Sequence, residues 1–254
     1  PLPLTDALPI CSQTGVEALV AVAKGRSIPI RIGVNSGSLP KELIAKYGVS
    51  SEAMVEAALR HVAILESLGY YEIKISVKAS NLALMLDSYR ELSKRCAYPL
   101  HLGVTEAGTL LAGSVKSAIG IGILLEEGIG DTIRVSLTAD PVQEVMVAKE
   151  ILRSLGMRKG ISIVSCPTCG RTRIDLIHLA NEVREALIDF ENEALTIAVM
   201  GCAVNGPGEA READFGIAGG KGEGLLFAGG EIVAKVPEDR LVSELVNLVQ
   251  RSLL

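Results

Sequence analysis

Four segments of the chain alternate apolar and polar positions: 28–37 (IPIRIGVNSG), 70–80 (YYEIKISVKAS), 98–108 (YPLHLGVTEAG) and 131–141 (DTIRVSLTADP). Each mixes β-branched with polar residues and ends in small or polar ones, which predicts a strand. Helical patterns with recognisable ends run between them. Asp140 is placed to cap a helix with Pro141 at its first position and Gly156 at its close; Ser114 and Gly128 bracket another. This alternation predicts an α/β fold with parallel strands joined by crossover helices. Central strands of an open doubly wound sheet are apolar on both faces. Here one face carries Arg31, Asn35, Lys74, Ser76, Lys78, His101, Thr105, Arg134 and Ser136. Polar side chains converging from successive parallel strands suit the interior and upper rim of a TIM-type (β/α) barrel, and four such units are half of a closed one. Residues 1–157 therefore read as a partial barrel. The alternative is a four-stranded open sheet whose polar face is solvated.

Residues 158–254 follow a less regular order. The pattern predicts a strand over 160–165, a helix over about 173–189, a strand over 195–200, short glycine-punctuated strands over 215–236 and a final helix over about 238–252. This is a small α+β domain. The stretch GIAGGKGEG (216–224) reads as a strand and hairpin turn, because its lysine lacks the following Ser or Thr of a phosphate loop. AIGIG (118–122) lies in a helical pattern.

Composition narrows the function. The 254 residues suffice for one large domain or two ordinary ones. They are 48% apolar with no Trp, so the core is built from Val, Ile, Leu and Ala. A net charge of -5 argues against nucleic acid as a partner but leaves room for a local Arg and Lys cluster that holds a small anion. The longest apolar run, AIGIGILL (118–125), is too short to span a bilayer, and no secretory signal is evident. The start, PLPLTDALPI, has no Met and suggests a fragment. Five cysteines form no disulfide framework, so a reducing, cytoplasmic setting is expected.

Three of those cysteines carry candidate chemistry. Cys166 and Cys169 form a CxxC directly after a predicted strand, and Cys202 directly follows another, in GCAVNGPGE (201–209). Adjacent strand ends would gather the three thiols. A lone CxxC leaves zinc, thiol exchange and iron–sulfur chemistry open. Two features favour iron–sulfur. A structural zinc site is usually completed by a nearby Cys or His, and here the remaining His178 sits in a helical pattern. Glycines 201, 206 and 208 also allow backbone to approach a bulky cluster and donate N–H groups to its sulfides. Glu209, in the same loop, is the candidate fourth ligand; a carboxylate is hard and readily exchanged on such a metal. Cys11 and Cys96 read as incidental thiols.

CPTCGRT, GCAVNGPGEA and DFGIAGG, taken with PIRIGVNSGSL, KISVKAS, HLGVTEAG and VKSAIGIGILLEEGIGDTIRVSLTADP, resemble the 4-hydroxy-3-methylbut-2-enyl diphosphate synthases from about residue 28 to the last helix. The resemblance implies an oxidoreductase of isoprenoid precursor synthesis with a [4Fe–4S] cluster held by Cys166, Cys169, Cys202 and Glu209. It implies reductive ring opening and dehydration of 2-C-methyl-D-erythritol 2,4-cyclodiphosphate, with electrons from reduced ferredoxin or flavodoxin. Arg31, Lys78 and Arg134 would bind the diphosphate, with Asn35 and Ser136 as hydrogen-bond donors; Glu106 would sit near the reacting carbons and Asn205 would line the cluster side. It also implies a homodimer in which the cluster domain of one subunit caps the barrel of the other, in the cytoplasm or a plastid stroma. Complete bacterial members begin with four further barrel strands, so this chain matches the C-terminal half of the barrel followed by the iron–sulfur domain. Competing expectations are an inactive fragment and a zinc-binding α/β module without redox activity.

Overall fold

The computed structural model describes residues 13–172, 174–202 and 211–253. The chain divides into two compact units, Pro1–Leu155 and Gly156–Leu254.

The first unit alternates helices and strands: α1 (Gln13–Arg26), β1 (Ile30–Asn35), α2 (Lys41–Tyr47), α3 (Ser51–Ser67), β2 (Ile73–Lys78), α4 (Leu82–Arg95), β3 (His101–Leu102), α5 (Leu110–Glu126), β4 (Thr132–Ile133) and α6 (Pro141–Ser154). β1 pairs parallel with β2, and β3 with β4. A parallel bridge between Ile75 and Leu100, with the Ile75 N–H donating to the Pro99 carbonyl at 2.9 Å, joins the pairs in sequence order. The two-residue period then sorts the faces. Ile32 and Val34 of β1 and Ile73, Ile75 and Val77 of β2 are buried in one core with Met54, Ala58, Val62 and Leu65 of α3 and Met85, Tyr89 and Leu92 of α4. Burying each such Leu, Ile or Met side chain contributes about 1.5–3 kcal/mol. Arg31, Gly33 and Asn35 fall on the other face, in register with Lys74, Ser76 and Lys78.

The helix ends follow local chemistry. Ser50 caps α3 by accepting from the Ala53 N–H at 3.2 Å, and Gly69, at φ +64°, lets the chain leave it. Asp140 caps α6 by accepting from the Val142 N–H at 2.8 Å, with Pro141 in the first turn, as the pattern predicts. α5 begins four residues before Ser114, whose hydroxyl donates back to the Leu110 carbonyl at 2.5 Å inside the helix instead of capping it. β3 and β4 are shorter than the segments that predict them. Past the regular strands the two segments stay joined through the Arg134 N–H, which donates to the Leu102 carbonyl at 2.9 Å, and a parallel bridge between Thr109 and Thr138.

The second unit is a mixed sheet in the order β5 (Ser162–Ser165), β6 (Thr196–Met200), β7 (Phe215–Gly219), β8 (Glu223–Ala228) and β9 (Glu231–Pro237). β5, β6 and β7 are parallel; β7, β8 and β9 form antiparallel hairpins. The first hairpin turns at Gly222, whose φ of +74° an L side chain resists. α7 (Leu176–Ala186) and α8 (Leu241–Ser252) share a core with this sheet. Leu241, Leu245 and Val249, one helical turn apart, pack with Leu176, Leu179 and Val183 and with Ile197, Val199, Ile217 and Leu226. α7 starts later than expected, because Asp175 caps it by accepting from the His178 N–H at 3.0 Å; α8 starts after a short 3-10 turn that follows Pro237. No helix among the described residues is long and apolar enough to cross a membrane.

Candidate functional site: a cationic strand face and two thiol loops

On the first unit the polar strand face gathers positive charge. Lys78 ends β2 in register with Asn35, and Arg31 faces Lys74. Lys78 is only 8% exposed. Burial, followed by the neighbouring Arg31 and Arg134 guanidinium groups, lowers its pKa to about 8. Arg134 follows β4 directly and is exposed, as are Arg31 and Asn35; Ser136 is partly buried. Gly103 provides the space in which these groups meet. A Cβ there would lie 2.8 Å from the Arg134 carbonyl oxygen and 3.5 Å from Lys78 Cε.

His101 lies within the same charge cluster. Its Nδ1 is 2.8 Å from Thr132 Oγ1, while Nε2 is buried without a partner. Burial comes first, then Lys78, Arg31, Lys74 and Arg134, in pushing the imidazole down to about 4, so it is neutral near pH 7. Tyr89, from the core behind, donates its hydroxyl to the His101 carbonyl at 2.6 Å. The polar alternation put His101 and Lys74 on this face; their shared field emerges only when β1 to β4 are set side by side.

Glu106 lies in the loop after β3, exposed, with φ +53°. A non-glycine residue in the left-handed region costs about 1 kcal/mol or more and persists only where its surroundings impose it. Nearby, the Thr138 N–H donates to the Gly108 carbonyl at 2.9 Å, tying this loop to the segment after β4.

On the second unit, parallel pairing of β5 with β6 sets Ser165 beside Val199, so Cys166 and Cys202 both lie just beyond adjacent strand ends. The Gly201 N–H donates to Cys166 Sγ at 3.2 Å. Cys166 and Cys202 are partly buried and Cys169 is exposed; all three are free thiols. The Arg171 backbone N–H, then Thr172, hold the Cys169 thiol below its usual pKa. His178 is exposed at the start of α7, 3.8 Å from Glu182. Glu209 and Asn205 lie outside the described residues. Among the described residues no three His, Cys, Asp or Glu side chains are close enough together to hold a metal ion. The donor set nevertheless fits an iron–sulfur cluster in kind: soft sulfur donors at neighbouring strand ends, one already accepting a backbone N–H.

Two grooves lie elsewhere. One, of about 350 Å³, is lined by Val115, Ala118, Val147 and Ile151 of α5 and α6. The other, of about 530 Å³, is lined by Glu52, Asp87, Arg90 and Lys94 of α3 and α4. Neither includes a residue of the cationic strand face.

Comparison with known proteins adds the family. Residues 9–149 match the model of the GcpE TIM-barrel domain, and residues 162–251 that of the GcpE protein C-terminal domain. A protein of Clostridium perfringens (strain 13 / Type A) named 4-hydroxy-3-methylbut-2-en-1-yl diphosphate synthase (flavodoxin) is 60% identical over 243 residues, covering 95% of this chain and 69% of its own length. Proteins of the same name from Clostridium acetobutylicum and Geobacter sulfurreducens are each 61% identical over 240 residues, covering 94% of this chain and 68% of their own. With both halves matched in order, the chain belongs to the GcpE family, that of the 4-hydroxy-3-methylbut-2-en-1-yl diphosphate synthases.

Proposed function

We propose that this chain serves the reaction for which its relatives are named: reductive opening of 2-C-methyl-D-erythritol 2,4-cyclodiphosphate to 4-hydroxy-3-methylbut-2-enyl diphosphate. A ring C–O bond breaks, two electrons and two protons enter, and water leaves. The observation that carries the reading is the identity of about 60% along nearly the whole chain. The electron donor is reduced flavodoxin, the one given in the relatives' names.

The chain's own residues have a physical part in this chemistry. Arg31, Lys78 and Arg134 offer the substrate's diphosphate an excess of positive charge, with Asn35 and Ser136 as further donors. Burial, then repulsion from Arg31 and Arg134, disfavours the charged lysine in the free protein, and attraction to a bound dianion offsets that cost. Planar guanidinium groups suit the forked oxygens of a diphosphate. Glu106, in the turn beyond β3, would sit near the reacting carbons. Cys166, Cys169 and Cys202, with Glu209 as fourth ligand, would hold a [4Fe–4S] cluster, which supplies single electrons and a Lewis-acidic iron. Asn205 would line the cluster side. The sequential parallel strands form part of a (β/α) barrel whose interior is the cationic face, and the active form is a cytoplasmic homodimer.

Anaerobic purification tests this reading. A brown chain absorbing at roughly 400 nm, with iron and sulfide present and turnover of the cyclic diphosphate with reduced flavodoxin, is the expected result. A colourless chain carrying stoichiometric zinc would overturn it in favour of a metal-binding module without redox activity.

A further inference from the structure

Thr172 stands between the two thiol loops and makes contact with both. Its N–H donates to the Cys169 carbonyl at 3.0 Å, and its Oγ1 accepts from the Cys169 N–H at 3.2 Å, closing the turn reciprocally. The hydroxyl proton then remains available to the Cys169 sulfur. On the other side, a Cβ on residue 201 would lie 2.9 Å from both Thr172 Oγ1 and Cγ2. Only a glycine lets the backbone after β6 come this close to the threonine, and the N–H of that same Gly201 is the one donating to Cys166 Sγ.

We propose that Thr172 is a positioning residue that locks the Cys166–Cys169 turn against the Gly201–Cys202 loop and so sets the spacing at which the three thiols receive a metal cluster. The two loops belong to different strands, β5 and β6, and the register between those strands fixes their ends only up to Ser165 and Val199. Beyond that point the chain leaves the ladder. There the Gly201 N–H to Cys166 Sγ hydrogen bond joins the loops directly, and Thr172 adds a second tie, through two hydrogen bonds on one side and close packing on the other. The proposal rests on the reading of Cys166, Cys169 and Cys202 as cluster ligands, and its test separates the two.

Three variants of the full chain divide the contacts. Thr172→Val keeps the shape and loses the hydroxyl; Thr172→Ser does the reverse; Thr172→Gly removes both. Amide hydrogen exchange in the metal-free chain reads the positioning directly. We expect the Cys169 amide to exchange roughly fivefold faster in Thr172→Val and near the wild-type rate in Thr172→Ser, consistent with the loss of one neutral hydrogen bond. In Thr172→Gly the Gly201 amide should speed up as well. In the reconstituted chain, Thr172→Val should release iron to a chelator several-fold faster and show a more negative midpoint potential, because hydrogen bonds to cluster sulfurs raise it. An unchanged Gly201 amide in Thr172→Gly, or wild-type iron release in every variant, overturns the proposal. A wild-type chain that takes up no iron refutes the cluster reading instead, and the amide rates then decide the coupling of the loops on their own.

Discussion

Lys78 has an ordinary pKa of 10.5, lowered to about 8 here by burial first and then by the cations Arg31 and Arg134. Between about pH 8 and 10.5 the unfolded chain holds more protons at this site than the folded one, so folding stability rises with pH across that window. Below it the cost is fully present. Lys78→Met should therefore raise the urea midpoint at pH 7, and the advantage should shrink by pH 10, when wild-type Lys78 is neutral in the fold. The same substitution should abolish binding of inorganic pyrophosphate measured by calorimetry, while wild-type affinity should weaken as pH climbs past about 8. A variant no more stable than wild type at pH 7 would contradict this account. A site that stores repulsion in the free state trades stability for anion binding. His101 adds an acid-side counterpart. With its folded pKa near 4 against an ordinary 6.5, stability contributed by the neutral ring is lost as pH falls through that interval.

At the scale of elements, the short strands β3 and β4 hold the cationic face together through close backbone approach. Gly103 makes this possible, since its missing side chain leaves room for the Arg134 carbonyl and the Lys78 stem. Gly103→Ala should cost about 1–3 kcal/mol by forcing β3 and the segment after β4 apart. It should also weaken pyrophosphate binding, which a mutation acting on stability alone would leave intact under folding conditions. Chemical denaturation and calorimetry on one preparation distinguish the two. The alternation that marks Arg31, Lys74, Lys78, His101 and Arg134 as one face was legible in the chain, because a strand's period of two needs no knowledge of its neighbours. The small extent of regular pairing in β3 and β4 was not legible, because strand length depends on what lies alongside. Ser114 shows the same limit. It has the chemistry of a cap, yet α5 runs past it because Leu110 and the residues after it already satisfy the helical pattern.

At the scale of the molecule, each unit has its own core, the first with Tyr89, Ile75 and Leu124, the second with Leu245, Val183 and Ile197. Leu245→Ala, at a fully buried position in the second core, should lower that unit's stability by about 2–5 kcal/mol. Differential scanning calorimetry should then show one transition shifted down and the other in place; a single transition moving as a whole would show that the units unfold together. The chain's pattern by itself determined the order of strands and helices, the helix caps at Asp140 and Pro141, and the loops that carry Cys166, Cys169 and Cys202, because periodicity, capping and motif spacing are local properties. Tertiary structure alone decided that four cations act on His101, that Gly103 must yield space to Lys78, and that Thr172 lies against Gly201. Those facts come from chain segments tens of residues apart meeting within a few ångströms, and no local preference records such a meeting.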